Sequence, residues 1–167
     1  YEALAEVSLR PEQITTPMEA MVGWELGERI VLAPILRAGL GMVDGFRRLA
    51  PQAVVRHVGV YRDEHTLRPV HYYPLAGVVE ADLAIVLDPM LATGGSAAAA
   101  VTALRERGVP RVKYAGIIAA PYGVQQLAEA FPDVDIYVAA LDRELNERGF
   151  ILPGLGDAGD RQFGTGA

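Results

Sequence analysis

Short unbroken apolar runs separated by glycine-rich or charged stretches recur along the chain and set its expected elements. Ala84 to Leu87 is too short for a helix and shows no polar alternation, which describes a strand buried on both faces, as in a parallel sheet. The same pattern predicts strands at Ile30 to Pro34, Val54 to Tyr61, Leu83 to Leu87, Val112 to Ala119 and Asp135 to Leu141. Between them, Leu40 to Leu49 reads as a short helix and Ala97 to Arg107 as an alanine-rich helix ended by Gly108. Gly123 to Phe131 reads as a helix terminated by Pro132. Such alternation predicts an α/β fold: a doubly wound, mainly parallel sheet with helices on both faces.

Two segments break the alternation. Tyr61 to Pro74, YRDEHTLRPVHYYP, is long, charged and aromatic and predicts a flap over the strand ends; a solvated hairpin is the plainer alternative. Gly149 to Ala167, GFILPGLGDAGDRQFGTGA, predicts a small irregular cap rather than a frayed tail, because Phe150, Ile151, Leu152, Leu155 and Phe163 offer more apolar surface than a free tail keeps in water. At 167 residues, with no repeat or linker, the expectation is one domain: core about 27–145, flap 61–74 and cap 146–167. The opening YEALAEVSL reads as the end of a helix.

Chemistry concentrates in two loops at carboxyl ends of strands, where open α/β sheets bind ligands. Thr93, Gly94, Gly95 and Ser96 stand where the unpaired N–H groups of a helix start would meet an anion such as phosphate, although a turn with a Ser N-cap has the same residues. In ILRAGLGMVDG, Arg37 precedes a helix start, where a cation opposes the macrodipole; either a bound anion or a carboxylate such as Asp44 resolves the conflict. A non-proline cis peptide is expected between Leu36 and Gly39. Arg62, at the root of the flap, is a further phosphate clamp or an ordinary surface arginine. Asp88, at the foot of the first loop, suits hydroxyl groups or a hydrated metal, or merely the start of a helix. The combination describes a sugar carrying phosphates.

Composition narrows the partners. Lys and Arg number 15 against 21 Asp and Glu, a net charge of −6, so neither nucleic acid nor a membrane is an expected partner. Cysteine is absent, which excludes disulfides and thiolate metal sites and suits a cytoplasmic location. His57, His65 and His71 lack metal-ligand spacing and read as solvated.

Taken in order, PILRAGLGM, VYRDEHTLRPV, LDPMLATGGS and LNERGFILPGLGDAGDRQFGT resemble the uracil phosphoribosyltransferases from about Ile30 to Thr165. LDPMLATGGS alone marks phosphoribosyltransferases broadly, and PGLGDAGD is the part that distinguishes the uracil branch. The resemblance implies an enzyme that transfers the 5-phosphoribosyl group from 5-phosphoribosyl 1-diphosphate (PRPP) to uracil, giving UMP and diphosphate. It implies that Asp88, Pro89, Met90, Leu91, Ala92, Thr93, Gly94, Gly95 and Ser96 bind PRPP, Ala92 to Ser96 holding its 5-phosphate and Asp88 its ribose hydroxyls. Arg37 and Arg62 would bind the diphosphate and aid catalysis with Asp157, the best candidate for a general base. Ile151, Gly156, Asp157 and Ala158 would read uracil, largely through backbone atoms. Mg²⁺ is the implied cofactor, held mainly by PRPP and water with Asp88 and Asp157 nearby. A homodimer or homotetramer is implied, GTP is an activator in some relatives, and relatives begin some tens of residues before Tyr1. Pro89 in place of a second acid is shared with the uracil branch. A purine or orotate transferase, an RNA-binding regulator and an inactive nucleotide-binding subunit are the competing expectations.

Overall fold

The computed structural model describes residues 1–62, 69–73, 77 and 79–165, the side chains of 61–62 and 69–73 excepted. A 3-10 turn at Glu2–Leu4 leads into β1 (Leu9–Thr15) and β2 (Ala20–Leu26), followed by β3 (Ile30–Pro34), α1 (Leu40–Leu49), β4 (Val54–Val55), β5 (Gly59–Arg62) and β6 (Pro69–Tyr73). Next come β7 (Leu83–Leu87), β8 (Met90–Leu91), α2 (Gly95–Arg105), β9 (Val112–Ala119), α3 (Pro121–Ala130) and β10 (Asp135–Leu141). The chain then forms β11 (Glu144–Leu145), β12 (Ile151–Leu152) and α4 (Ala158–Phe163).

The main sheet runs β10-β9-β7-β3-β4, with β8 added beside β9, and every pairing in it is parallel. All five residues of β3 and of β7 are buried, as their unbroken apolar runs require. Alternate residues serve opposite faces. Ala84 and Val86 join Ala97, Val101 and Leu104 of α2 and Leu127 of α3 in one core. Leu83, Ile85 and Leu87 join the core on the other side, where Met42, Val43 and Phe46 of α1 pack. Helices therefore cover both faces, as the alternation predicts.

Several elements depart from expectation. The run from Val54 to Tyr61 is two strands: β4 closes the edge of the main sheet, while β5 pairs antiparallel with β6. The opening residues form one short turn rather than a helix end, and the β1–β2 hairpin has no counterpart in the predicted elements. Its pattern could not announce it, because every residue of β1 is exposed and no buried face imposes alternation. Trp24 is 67% exposed and Met18, at the turn, 91%. The helices begin earlier than predicted, α2 at Gly95 and α3 at Pro121, whose missing N–H suits the first turn. In the flap, residues 63–68 and 74, and with them His65, lie outside the described residues. Among the described residues no helix is long and apolar enough to cross a membrane.

Two glycines let backbones meet where the ligand loops leave the sheet. A Cβ at Gly39 would overlap the carbonyl oxygen of Leu87, and one at Gly123 would overlap that of Ala92. Gly45, in the middle of α1, faces open space. Gly123→Ala should lower unfolding free energy by about 1–3 kcal/mol through overpacking, whereas Gly45→Ala should raise it by about 1 kcal/mol through helix propensity. Urea denaturation of both variants checks the opposite signs.

Candidate active site

β7 delivers Asp88 to its carboxyl end, and the next six residues form a compact loop into α2. Pairing of β8 with β9 holds its first half. The carbonyl of buried Pro89 accepts hydrogen bonds from the N–H groups of Ile117 and Ile118, both at 3.0 Å. Gly94 then takes φ +82°, a left-handed conformation that suits glycine, and caps α2 without any side-chain hydrogen bond. The Ser N-cap alternative is thereby excluded: Ser96 lies inside the helix, and the helix start presents its N–H groups toward the loop.

Asp88 lies half-buried at the floor of the cleft. Its Oδ1 accepts the Met90 N–H at 3.3 Å, and the hydroxyl of fully buried Tyr114 donates to its carbonyl at 2.9 Å. Burial pushes its carboxyl up to about 7, with the negative charge of Asp157 adding to the rise and the Met90 N–H opposing it.

The C-terminal segment is more ordered than an irregular cap. β11 and β12 form a hairpin whose turn is held by Asn146 Oδ1, which accepts from the N–H groups of Arg148 (3.0 Å) and Phe150 (2.9 Å). A cis peptide at Leu152–Pro153 follows, with Gly154 and Gly156 at positive φ. Asp157 then caps α4, its Oδ1 accepting from the Asp160 N–H at 2.8 Å.

These two segments enclose one cavity of about 210 Å³. From the first loop it is lined by Asp88, Met90, Leu91, Ala92, Thr93, Gly94 and Ser96, and from the cap by Ile151, Gly156, Asp157 and Ala158. Pro89 and Gly95 lie behind that surface, and the side chain of Arg62 lies outside the described residues. Ala38, Ala97, Gly149 and Phe150 also line the cavity; Ala38, Gly149 and Phe150 lie within quoted motifs and Ala97 adjoins one, but nothing in their residue types signalled contact. His57 is exposed and away from this cleft, and the side chain of His71 lies outside the described residues.

Arg37 follows a cis peptide at Leu36–Arg37, as expected for that loop. Its side chain does not line the cavity, nor does it pair with Asp44. Nη2 donates to Asp160 Oδ1 at 3.1 Å and Nη1 to Thr165 Oγ1 at 3.2 Å, with the guanidinium carbon 5.9 Å from the centre of the Phe163 ring. The carboxylate that offsets the cation at the start of α1 therefore comes from the cap, 123 residues away. Gln162 adds a second tie, its amide nitrogen donating to the Ala38 carbonyl (2.9 Å) and its oxygen accepting from the Gly41 N–H (3.0 Å).

Residues 1–165 match the family described as uracil phosphoribosyltransferase. The chain belongs to that family. The uracil phosphoribosyltransferase of Roseiflexus castenholzii is 58% identical, with 99% of this chain and 80% of the relative covered. That of Streptococcus uberis is 53% identical over the same shares. A solved protein of Aquifex aeolicus superposes with a TM-score of 0.94 at 38% identity, covering 100% of this chain and 81% of its own. The adenine phosphoribosyltransferase of Thermoanaerobacter pseudethanolicus, at 14% identity and a TM-score of 0.55 over 84% of this chain and 74% of its own, shares the fold. Within the matched residues, the C-terminal hairpin and short helix border the cavity opposite the start of α2.

Asp88 yields a stability test. Its folded value, about 7, lies above the 3.8 of an unperturbed aspartate, so between those values the folded chain binds more protons than the unfolded one. The stabilising contribution is complete below about 4 and is lost as pH rises to about 7. Asp88→Asn should therefore gain stability relative to the parent between pH 4.5 and pH 8, read as a difference in Tm that moves in the variant's favour; a constant difference would contradict the raised carboxyl.

Proposed function

We propose that this chain is a uracil phosphoribosyltransferase that transfers the 5-phosphoribosyl group of PRPP to uracil, releasing diphosphate and giving UMP. The observation that carries this is the single cavity in which the start of α2 faces the Gly156–Ala158 backbone. One side offers N–H groups and hydroxyls to a phosphate, and the other offers close backbone approach to a planar base. We treat sheet, flap and cap as one functional domain.

In this reading the loop from Ala92 to Ser96 holds the 5-phosphate and Asp88 accepts the ribose hydroxyls. Arg37 and Arg62 hold the diphosphate, and Ile151 with Gly156 to Ala158 reads the uracil edge. An exocyclic amine would present a donor where the backbone offers one, leaving buried groups unpaired. Asp157 is placed to take the proton from the attacking base nitrogen. Catalysis rests on alignment, on stabilising the charge of the leaving diphosphate and on excluding water from the reacting carbon.

The residues present fit Mg²⁺ as a partner of the donor. Asp88 and Asp157 face the same cleft, and among the described residues no group of three His, Asp or Glu could cage an ion. Two carboxylates suit an ion that keeps its waters and substrate phosphates. When bound, Mg²⁺ would neutralise charge on the diphosphate as it leaves.

A cytoplasmic location follows from the donor, a multiply charged anion that does not cross a bilayer unaided. GTP activation acquires no residues here and forms no part of the proposal. A symmetric homo-oligomer does. Two-stranded hairpins are marginal in water by themselves, and β1–β2 displays Leu9, Ile14, Met21, Val22 and Trp24 to solvent. A second copy of the chain is the occupant that would cover this arm in a closed, self-complementary pair. Sedimentation velocity should find a dimer or tetramer that Trp24→Lys shifts towards monomer; a monomeric parent would remove assembly from the proposal.

The decisive assay measures diphosphate release from PRPP and Mg²⁺ with uracil, cytosine, orotate, hypoxanthine or adenine supplied singly. Turnover should occur with uracil alone, and Asp157→Asn, which keeps a capping oxygen for α4 but loses the charge, should abolish most of it. Turnover with another base would overturn the role of the cap.

A further inference from the structure

Arg37 is placed by residues that belong to the other half of the site. Its loop leaves β3 and lies beside the cleft through Ala38, yet its guanidinium donates to two residues of the segment from α4 to Thr165. The contact is a closed triangle. Thr165 Oγ1 donates to Asp160 Oδ1 at 2.6 Å and accepts from Arg37 Nη1, while Arg37 Nη2 donates to the same Asp160 oxygen. Phe163 lies under the cation, within cation–π range.

The anchor behind this triangle is firm. Asp157 caps the helix that carries Asp160, and Gln162 bonds to Ala38 and Gly41 on either side of the start of α1. Gly159 sits between Asp157 and Arg37: a Cβ there would lie 3.2 Å from Asp157 Oδ1 and 3.7 Å from Arg37 Nη2. The cavity-lining carboxylate and the arginine are thus near neighbours across a residue with no side chain. Thr165 and Arg37 hold the Asp160 carboxyl below the usual aspartate value, so it is charged at neutral pH.

A guanidinium has five N–H donors, and the triangle uses one on each terminal nitrogen. The other three remain for a second anion. An arginine already held in one rotamer loses less freedom when it grips that anion than one free in solvent. We infer that Asp160, with Thr165, is a positioning residue that holds Arg37 ready for the diphosphate of the donor, so that the cap which reads the base also sets the donor's arginine. This rests on the assignment of Arg37 to the diphosphate made above.

The test compares Asp160→Ala, Asp160→Asn, Thr165→Val and Arg37→Ala by steady-state kinetics, by calorimetric binding of inorganic diphosphate with Mg²⁺, and by Tm. Asp160→Ala should raise KM for PRPP roughly tenfold with kcat and KM for uracil nearly unchanged, as loss of pre-organised binding predicts. Thr165→Val, at an exposed site, should move the same constant by a smaller factor. Asp160→Asn keeps an acceptor oxygen and should recover most of the donor affinity. Diphosphate binding should weaken in the same order. A donor KM that stays constant or falls in Asp160→Ala while rising in Arg37→Ala would overturn the positioning role and leave the Arg37 assignment standing. Equal rises in KM for donor and uracil together with a lowered Tm would assign Asp160 to cap structure alone and also overturn it. No effect of Arg37→Ala on diphosphate binding would overturn the Arg37 assignment and the inference with it.

Discussion

β7 is buried along its whole length, and the site takes its position from that burial. The strand pairs with β3 on one side and β9 on the other, and its five side chains alternate between two cores. A strand so enclosed cannot slip in register without sending its apolar residues into the wrong layer. Its carboxyl end is therefore a fixed point from which Asp88 and the loop into α2 project. The loop from β3 meets the same end at close range, with Gly39 against the carbonyl of Leu87. Backbone proximity of this kind leaves no room for a side chain, and it brings two ligand loops to one edge.

The electrostatics of the cleft follow from the same enclosure. Asp88 is pushed towards neutrality by burial, and the opposing negative charge of Asp157 across the cleft adds to the rise. A donor bringing a metal ion and ribose hydroxyls would relieve that opposition. Arg37, by contrast, is compensated within the chain by Asp160. An exposed ion pair is worth little to stability. Its value is geometric, because the two partners belong to segments that must act together.

The adenine phosphoribosyltransferase at 14% identity shares the fold, and in this chain the C-terminal segment covers the cleft. Here a hairpin, a cis Leu152–Pro153 peptide, two glycines at positive φ and a capped short helix build the covering. In the proposed function the loop at the sheet edge takes the phosphate, and specificity for the base rests on local backbone geometry in this covering.

Much of this was legible in the residues themselves. Apolar runs of strand length located β3 and β7, because a strand buried on two faces has to be apolar throughout, and similar runs located the partly buried β9 and the edge strand β10. The Thr-Gly-Gly-Ser step and its place after β7 located the loop that opens α2, because the positive φ at Gly94 and a helix start without a side-chain cap suit those residue types. The motifs together located the family. Tertiary structure alone decided the rest. The β1–β2 arm was invisible, because exposed strands impose no pattern on their side chains. The split between β4 and β5 depended on which neighbours lay within hydrogen-bonding reach. The residues left the partner of Arg37 open between a bound anion and a nearby carboxylate such as Asp44, whereas the fold brings Asp160 to it across 123 residues. Local propensity and burial act over a few residues and are written in composition; an ion pair between distant segments exists only once the sheet has set where each segment ends.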